Sequence, residues 1–396
     1  MSSAVYYDPF DYAIDQNPYP VWERMREEAP LYWNEKYGFW AVSRFADVWS
    51  AYHNTETFSS THGVSLDMMT DTATDMTYMM IFMDPPEHYN FRRLVSSPFA
   101  PKRIAALESM IQAYTNQYLD NLAGSKSFDY VQDFGAWLPP MVIGALVGVP
   151  ESDRDMYRRW TDESLHIDEG QTGPSEKAQK ARMEGGAYVW NMVQERRKNL
   201  GDDMISDLLQ AEIDQDGEKR KLTDLEVVAF VQLLAGAGSE TVARFLGFAG
   251  VELGRNPDQR KILIDDPSVI PNAVEELLRF EAPSPVNGRW VMHDTEINGT
   301  KIPKDSKILL INGSANRDPR EYDEPEKLKV KREIKRHITF GYGPHFCLGA
   351  SLARLEAKVA LAETLKRYPN WEVDEAGLEM VRTTTVRGYA KVPITV

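Results

Sequence analysis

One cysteine occurs in this chain of 396 residues, and its surroundings decide what a lone thiol could do. Cys347 lies in residues 340–349, FGYGPHFCLG, and the following ASLARLEAKVALAETLKR patterns as a long helix. A sulfur just before a helix start meets unpaired backbone N–H groups and the positive end of the helix dipole, which lower a thiol's pKa and stabilise a thiolate. Gly341, Gly343 and Gly349 allow positive φ and a close approach to a flat partner. The chemistry open to such a sulfur is nucleophilic attack or metal ligation. The usual role of a lone cysteine, a small buried hydrophobe, explains neither the three glycines nor the helix start. A cysteine hydrolase with His345 as base would need an orienting third group and an oxyanion hole, and nothing nearby in the sequence supplies them.

A second group is an acid beside an alcohol. Residues 233–246, LLAGAGSETVARFL, read as an apolar helix that contains Gly236, Gly238, Glu240 and Thr241. Each glycine within a helix costs about 1 kcal/mol relative to alanine, so a pair of them implies close approach or a distortion, ordinary helix packing being the plainer alternative. Arg244 stands four residues after Glu240, the spacing of a helical ion pair, or else points to an outer face.

FGYGPHFCLG matches the cytochrome P450 cysteine-loop pattern F-G-x-G-x-H-x-C-x-G at every specified position, and Ala237-Gly238-Ser239-Glu240-Thr241 resembles the same family's A-G-x-D/E-T. The resemblance runs from NPYPVWERMREEAP near the start to VRGYAKVPITV at the end. It implies that Cys347 ligates the iron of haem b on its proximal side, that His345 hydrogen-bonds a propionate, that Phe340 packs beside the sulfur, and that Gly349 also belongs to the cofactor-binding set. It also implies that Ala237 and Gly238 form an oxygen groove in which Thr241 hydrogen-bonds dioxygen and Glu240 relays protons. A thiolate ligand favours cleavage of the O–O bond. Val242 stands where most relatives carry a second threonine. Buried propionates need cations, and His88 with Arg92 (DPPEHYNFRRLV) and Arg289 (SPVNGRW) resemble the family's propionate partners. Glu276 and Arg279 resemble its E-x-x-R scaffold pair. Where relatives complete that lock with P-x-R-F, this chain has EPEKL, so either the third contact weakens at Lys327 or another arginine such as Arg332 replaces it.

The elements that must position these groups are mostly helical. Amphipathic patterning predicts helices over 19–28, 101–123, 175–200, 223–255, 269–280 and 348–367, with another started by Pro85 and Pro86. Alternation predicts short strands at 38–43, 289–293, 307–312 and 383–395. The expected architecture is mainly α with small peripheral β-sheets, the cytochrome P450 fold, with haem between the oxygen-binding helix and the cysteine loop with its following helix. Without a linker or repeat, residues 1–396 read as one domain with no fused reductase or ferredoxin. Met68, Met69, Met76, Met79, Met80 and Met83 cluster in an aperiodic stretch, either as an adaptable apolar surface or as gap fillers.

Composition excludes several classes. A formal charge of −15 makes nucleic acid an unexpected partner, and a single cysteine rules out an internal disulfide or a paired-thiolate zinc site. The polar, acidic amino terminus lacks the features of a signal peptide, and the longest apolar run, about a dozen residues, falls short of the roughly 20 that span a bilayer. A cytoplasmic monomer without membrane attachment is expected. The resemblance further implies a bacterial-type monooxygenase fed by separate ferredoxin and reductase proteins, acting with dioxygen on an apolar small molecule. A peroxide-driven peroxygenase is the second enzyme reading and a haem sensor the reading from another class. The partner would dock near Arg92, Arg93, Lys102, Arg103, Arg354 and Lys358. The pocket would draw on the methionine-rich stretch and on segments 165–172, 234–241, 284–287 and 384–386.

Overall fold

The structure, a computed structural model, describes residues 4–69, 71, 79–96, 98–215, 218–383 and 385–396; Met76 and Thr384, singled out in the sequence, lie outside them. The helices that shape the site are α1 (Tyr19–Glu28), α2 (Glu87–Ser96), α3 (Glu108–Asp120), α4 (Leu138–Val147), α5 (Arg154–Glu163), α6 (Glu176–Lys198), α7 (Asp224–Arg255), α8 (Ile270–Phe280) and α9 (Ala350–Arg367).

Local chemistry explains where several of them begin. The Thr223 hydroxyl accepts from the Glu226 N–H at 3.2 Å while the Glu226 carboxylate accepts from the Thr223 N–H at 2.8 Å, a reciprocal cap that starts α7. Ser175 caps α6 by accepting from the Ala178 N–H. The helix expected over 101–123 is instead two, Pro101–Ala106 and Glu108–Asp120, separated at Leu107. Two of these nine helices carried no expectation. In α4, LPPMVIGALV is apolar on nearly every face and mostly buried, so it has no amphipathic period to read. In α5, RDMYRRWTDE buries only Tyr157 and Thr161.

Helix α7 is the axis of the main apolar cluster and packs against α4, α5, α6 and α9. By length and composition its 32 residues could cross a bilayer, yet 61% of its most apolar window is buried within the protein, as in a core helix. The helix expected over 223–255 is thus the one observed, and its unbroken apolar run is shorter than the helix because Ser239, Glu240 and Arg244 interrupt it.

The largest sheet has five strands, β1 (Leu31–Asn34), β2 (Phe39–Val42), β3 (Phe58–Ser59), β4 (Asn287–Val291) and β5 (Lys307–Leu310), in the order β1-β2-β5-β4-β3. Strand β5 runs parallel to β2 and antiparallel to β4, with Ile308 opposite Arg289. The strand expected to reach residue 312 stops at Leu310, because Asn312–Ala315 forms a helical turn. The expected strand at 383–395 is two, Tyr389–Lys391 and Pro393–Thr395, in different sheets.

Candidate functional site

Helix α7, helix α2, strand β4 and the loop that precedes α9 enclose a cavity of about 300 Å³. Cys347, Phe340, His345 and Gly349 line it from the loop, His88 and Arg92 from α2, Arg289 from β4, and Ala237, Gly238 and Thr241 from α7. The fold thus brings to one wall residues spread over more than half of the sequence.

The loop is held by the Cys347 N–H donating to the Phe340 carbonyl at 2.9 Å, with Gly341 at φ +66° and Gly343 at φ +69°. Gly349 departs from the expectation: its φ is −82°, which any residue can adopt, and it serves as the N-cap of α9. A Cβ there would meet no atom within 4 Å, so the space it would enter is that of the cavity. The Cys347 sulfur faces the cavity while protein encloses it from behind. That enclosure pushes the thiol up, against the pull of the Gly349 N–H, Arg92 and Arg354. The lowering expected from the helix start is therefore outweighed by desolvation, and metal coordination is what would deprotonate this sulfur outright.

The basic side chains around the cavity have no acidic partner among the described residues. Among the described residues none of His88, Arg92, Arg289 and His345 forms a salt bridge, and both ring nitrogens of His88 are buried without a hydrogen-bond partner. Burial and the neighbouring Arg92 push His88 down to about 4. Burial, Arg289 and His88 hold His345 well below its ordinary value, and the His345 ring packs 4.3 Å from that of His88. Arg289 donates to the Gly288 carbonyl at 2.7 Å, and Arg92 to the Phe346 carbonyl at 2.5 Å. Buried, uncompensated donors of this kind call for anionic oxygens. A flat apolar group carrying two carboxylates, with a metal facing Cys347, satisfies them, so the residues present fit haem.

On α7 the Thr241 hydroxyl donates to the Ala237 carbonyl at 2.7 Å. A Cβ on Gly238 would stand 2.7 Å from Cγ1 of Ile143 in α4, so close helix packing accounts for this glycine, and α7 remains helical through it. Glu240 is not on the cavity wall. It is buried and paired with Arg244 Nε at 2.7 Å, and Arg244 also donates to the Tyr389 carbonyl at 2.8 Å.

Behind the loop, Arg279 reaches Glu276 with two bonds, at 2.7 and 2.9 Å, and donates to the Asn316 and Pro325 carbonyls. Arg332 supplies the third contact, with Nε 3.0 and 3.1 Å from the two Glu276 oxygens, whereas Lys327 pairs at the surface with Glu324. Of the two alternatives left by EPEKL, replacement by Arg332 is the one the structure adopts.

The pocket expectations hold in part. Met80, Leu234, Ser284 and Asn287 line the cavity, but segment 165–172 does not. That segment is drawn away by backbone pairing with the carboxy-terminal region, where Ile167 N–H donates to the Arg382 carbonyl and His166 bridges Thr383. Thr385 and Val386 line a separate hollow of about 60 Å³ beside Trp22 and Ser65. Sequence reasoning missed Tyr52 and Glu356, both on the cavity wall. Glu356 is buried with one carboxylate oxygen unpartnered, and burial keeps its pKa well above the ordinary range. Neither belongs to a motif that could have marked it.

The family model described as Cytochrome P450 matches residues 172–266 and 264–388. The putative cytochrome P450 123 of Mycobacterium tuberculosis is 40% identical over 391 residues, covering 98% of this chain and 96% of that protein. The cytochrome P450 PksS of the Bacillus subtilis bacillaene polyketide synthase has TM-score 0.88 at 31% identity, covering 98% of this chain and 99% of that one. CYP109E1 of Bacillus megaterium, solved with corticosterone, has TM-score 0.84 at 32% identity, covering 97% and 99%. Together with the cavity that unites Cys347, the unpaired cations and Thr241, these likenesses show that the chain belongs to the cytochrome P450 family, the haem b monooxygenases.

Proposed function

We propose that this enzyme inserts one oxygen atom of dioxygen into a C–H or C=C bond of an apolar small molecule, with Cys347 as the axial ligand of haem b. The observation that carries the reading is the meeting, in one cavity, of the chain's single cysteine and four basic side chains that form no salt bridge among the described residues. When bound, the haem supplies the activation of dioxygen, and thiolate ligation favours cleavage of the O–O bond.

The remaining tasks fall to the chain. His88, Arg92, Arg289 and His345 hold the propionates by charge-assisted hydrogen bonds. Phe340 and Gly349 leave room for a flat ring system beside the sulfur. Phe230, Leu233, Phe245 and Ile143 surround the remaining space with apolar surface, which favours a substrate of the same character. The second oxygen atom leaves as water, so each turnover consumes two electrons and two protons. Thr241 presents a hydroxyl at the cavity, and Glu240, the acid beside it on α7, relays protons towards it. Electrons come from a separate ferredoxin and its reductase. The enzyme works in the cytoplasm.

The decisive experiment is the spectrum of the reduced, carbon monoxide-bound protein. The red-shifted Soret band of thiolate ligation is expected, and its loss in Cys347→His with haem retained; a wild-type spectrum without that band overturns the assignment. Corticosterone, the ligand in the solved relative, is a suitable first probe in a spin-state screen of apolar compounds.

A further inference from the structure

We propose that the hollow beside Trp22 is a subsite for the head of the substrate, a protonated amine with a neighbouring hydroxyl, whose apolar body lies in the haem cavity. The inference rests on the reading of that cavity given above as a site for an apolar small molecule. The hollow measures about 60 Å³ and lies where the amino-terminal segment, the loop around Ser65, the approach to β4 and the carboxy-terminal segment meet. A water needs roughly 10–15 Å³ of such space and roughly 150 Å³ admits benzene, so the hollow suits a group of a few heavy atoms. It stands against the haem cavity. Val64 faces the cavity and Ser65 the hollow; Ser284 and Asn287 face the cavity, and Pro285 and Val286 between them the hollow. The Gly288 N–H joins the two stretches by donating to the Val64 carbonyl at 2.7 Å. One layer of chain therefore separates the two spaces, so one amphipathic molecule can occupy both.

The wall of the hollow has the chemistry of a cation site. Tyr7, Phe10 and Trp22 bring three aromatic rings to it, and Asp15 a carboxylate. Aromatic rings attract ammonium groups through their quadrupole. Asp15 stands in the last turn of the short helix Tyr12–Gln16, whose start is fixed by Asp11 accepting from the Ala13 N–H at 2.9 Å. Among the described residues its carboxylate has no hydrogen-bond or salt-bridge partner. Arg387, the one cation on the described wall, is engaged elsewhere: it donates to the Asp15 and Gln16 carbonyls at 2.7 and 2.9 Å, to the Tyr19 hydroxyl at 3.1 Å and to Glu281 at 3.0 Å. Burial pushes Asp15 up to about 6 against the pull of Arg387, which still leaves it ionised at neutral pH. Trp22 and Ser65, 3% and 4% exposed, enclose Nε1 and Oγ without a hydrogen-bond partner. The benzo edge of Trp22 is seated on Gly313, where a Cβ would stand 2.6 Å from Cζ3, so its N–H edge turns the other way, towards the Tyr7 hydroxyl, without bonding to it. Enclosed polar atoms of this kind are rare in native proteins and point to a bound polar group. An ammonium answers the Asp15 carboxylate, and a hydroxyl on the next carbon offers an acceptor to Trp22 Nε1 and a partner to Ser65 Oγ.

The test titrates the holoenzyme with 1-amino-2-dodecanol and with 1,2-dodecanediol, which differ only in the ammonium, and follows the spin state of the haem. The amino alcohol should bind about 10-fold more tightly and shift the iron to high spin, because its nitrogen is held in the hollow, away from the metal. Asp15→Asn should remove that preference by weakening the amino alcohol and not the diol, and Phe10→Leu should reduce it several-fold. Calorimetry with ethanolamine alone should show binding to the wild type that Asp15→Asn loses. Equal affinities for the two compounds in the wild type overturn the proposal, as does an equal loss for both in Asp15→Asn. A Soret shift to longer wavelength, the mark of nitrogen bound to iron, also overturns it, since the head then lies in the haem cavity. If neither compound shifts the spin state while other apolar compounds do, the subsite fails alone. If no apolar compound does, the apolar-substrate reading beneath it fails as well.

Discussion

Glu275 shows how single charges behind Cys347 are set. Burial alone would raise its carboxyl, but hydrogen bonds from His337 and Arg354 outweigh that and hold it at about 2. The Arg354 contact is bidentate, at 2.7 and 2.8 Å, and joins α8 to α9. Because the folded pKa lies below the unfolded one, the pair stabilises the fold above pH ~4.5 and loses that contribution as pH falls towards about 2. Allowing for partial solvent screening, Glu275→Gln should cost about 2 kcal/mol at pH 7. Urea midpoints of wild type and variant should converge as pH is lowered from 5 towards 2, and a constant gap would contradict the linkage. Cys347 itself illustrates a limit of local reasoning. Its place before α9 predicts a lowered thiol, yet enclosure raises it, since desolvation acts through all surrounding atoms and the dipole only through one helix end.

At the scale of elements, the brace under the cysteine loop is a four-part contact. Glu276 of α8 receives Arg279, Arg332 and the backbone N–H of Lys329. Glu276 and Arg279 are fully buried, so removing one partner strands a charge in the interior, at a cost of about 3 kcal/mol or more. Arg332→Ala leaves the Glu276–Arg279 pair in place but removes a nearly buried contact to both Glu276 oxygens, so it should lower the thermal midpoint by several degrees and weaken haem retention. Lys327→Ala should be nearly silent, within about 0.5 kcal/mol, because its pairing with Glu324 is at the surface. Thermal melts followed at the Soret band check both. Equal effects, or a larger one for Lys327, would return the lock to the position where relatives carry it.

For the whole molecule, the acidic total conceals how few cations are free on the cysteine-loop side. Lys358 pairs with Glu108 at 2.7 Å, Arg354 with Glu275, and Arg103 lies 3.8 Å from Asp207, while Arg92 turns to the cavity. Among the described residues Arg93 and Lys102 have no acidic partner. If an acidic ferredoxin docks on this face, Arg93→Ala with Lys102→Ala should slow its association about 3- to 10-fold at low salt, and the difference should shrink as ionic strength rises. Lys358→Ala should change it less. Stopped-flow reduction across a salt series measures both, and rates indifferent to Arg93 and Lys102 would move the docking surface elsewhere.

The family, the cysteine, the acid–alcohol pair and the order of the helices were legible in the sequence because each is encoded over a few residues. The i to i+4 spacing puts His88 beside Arg92 and Glu240 beside Arg244, and a helix start follows Cys347. What required the tertiary structure are contacts between distant stretches. Arg332 lies 56 residues from Glu276, and Tyr52 and Glu356 reach the cavity from helices with no motif. Helix α4 escaped notice for a related reason: a helix buried on all sides has no polar face to reveal its period. Local spacing determined which chemistry this chain carries. Packing decided which charges are buried, which are paired and which remain for the cofactor, because desolvation depends on every neighbour in space.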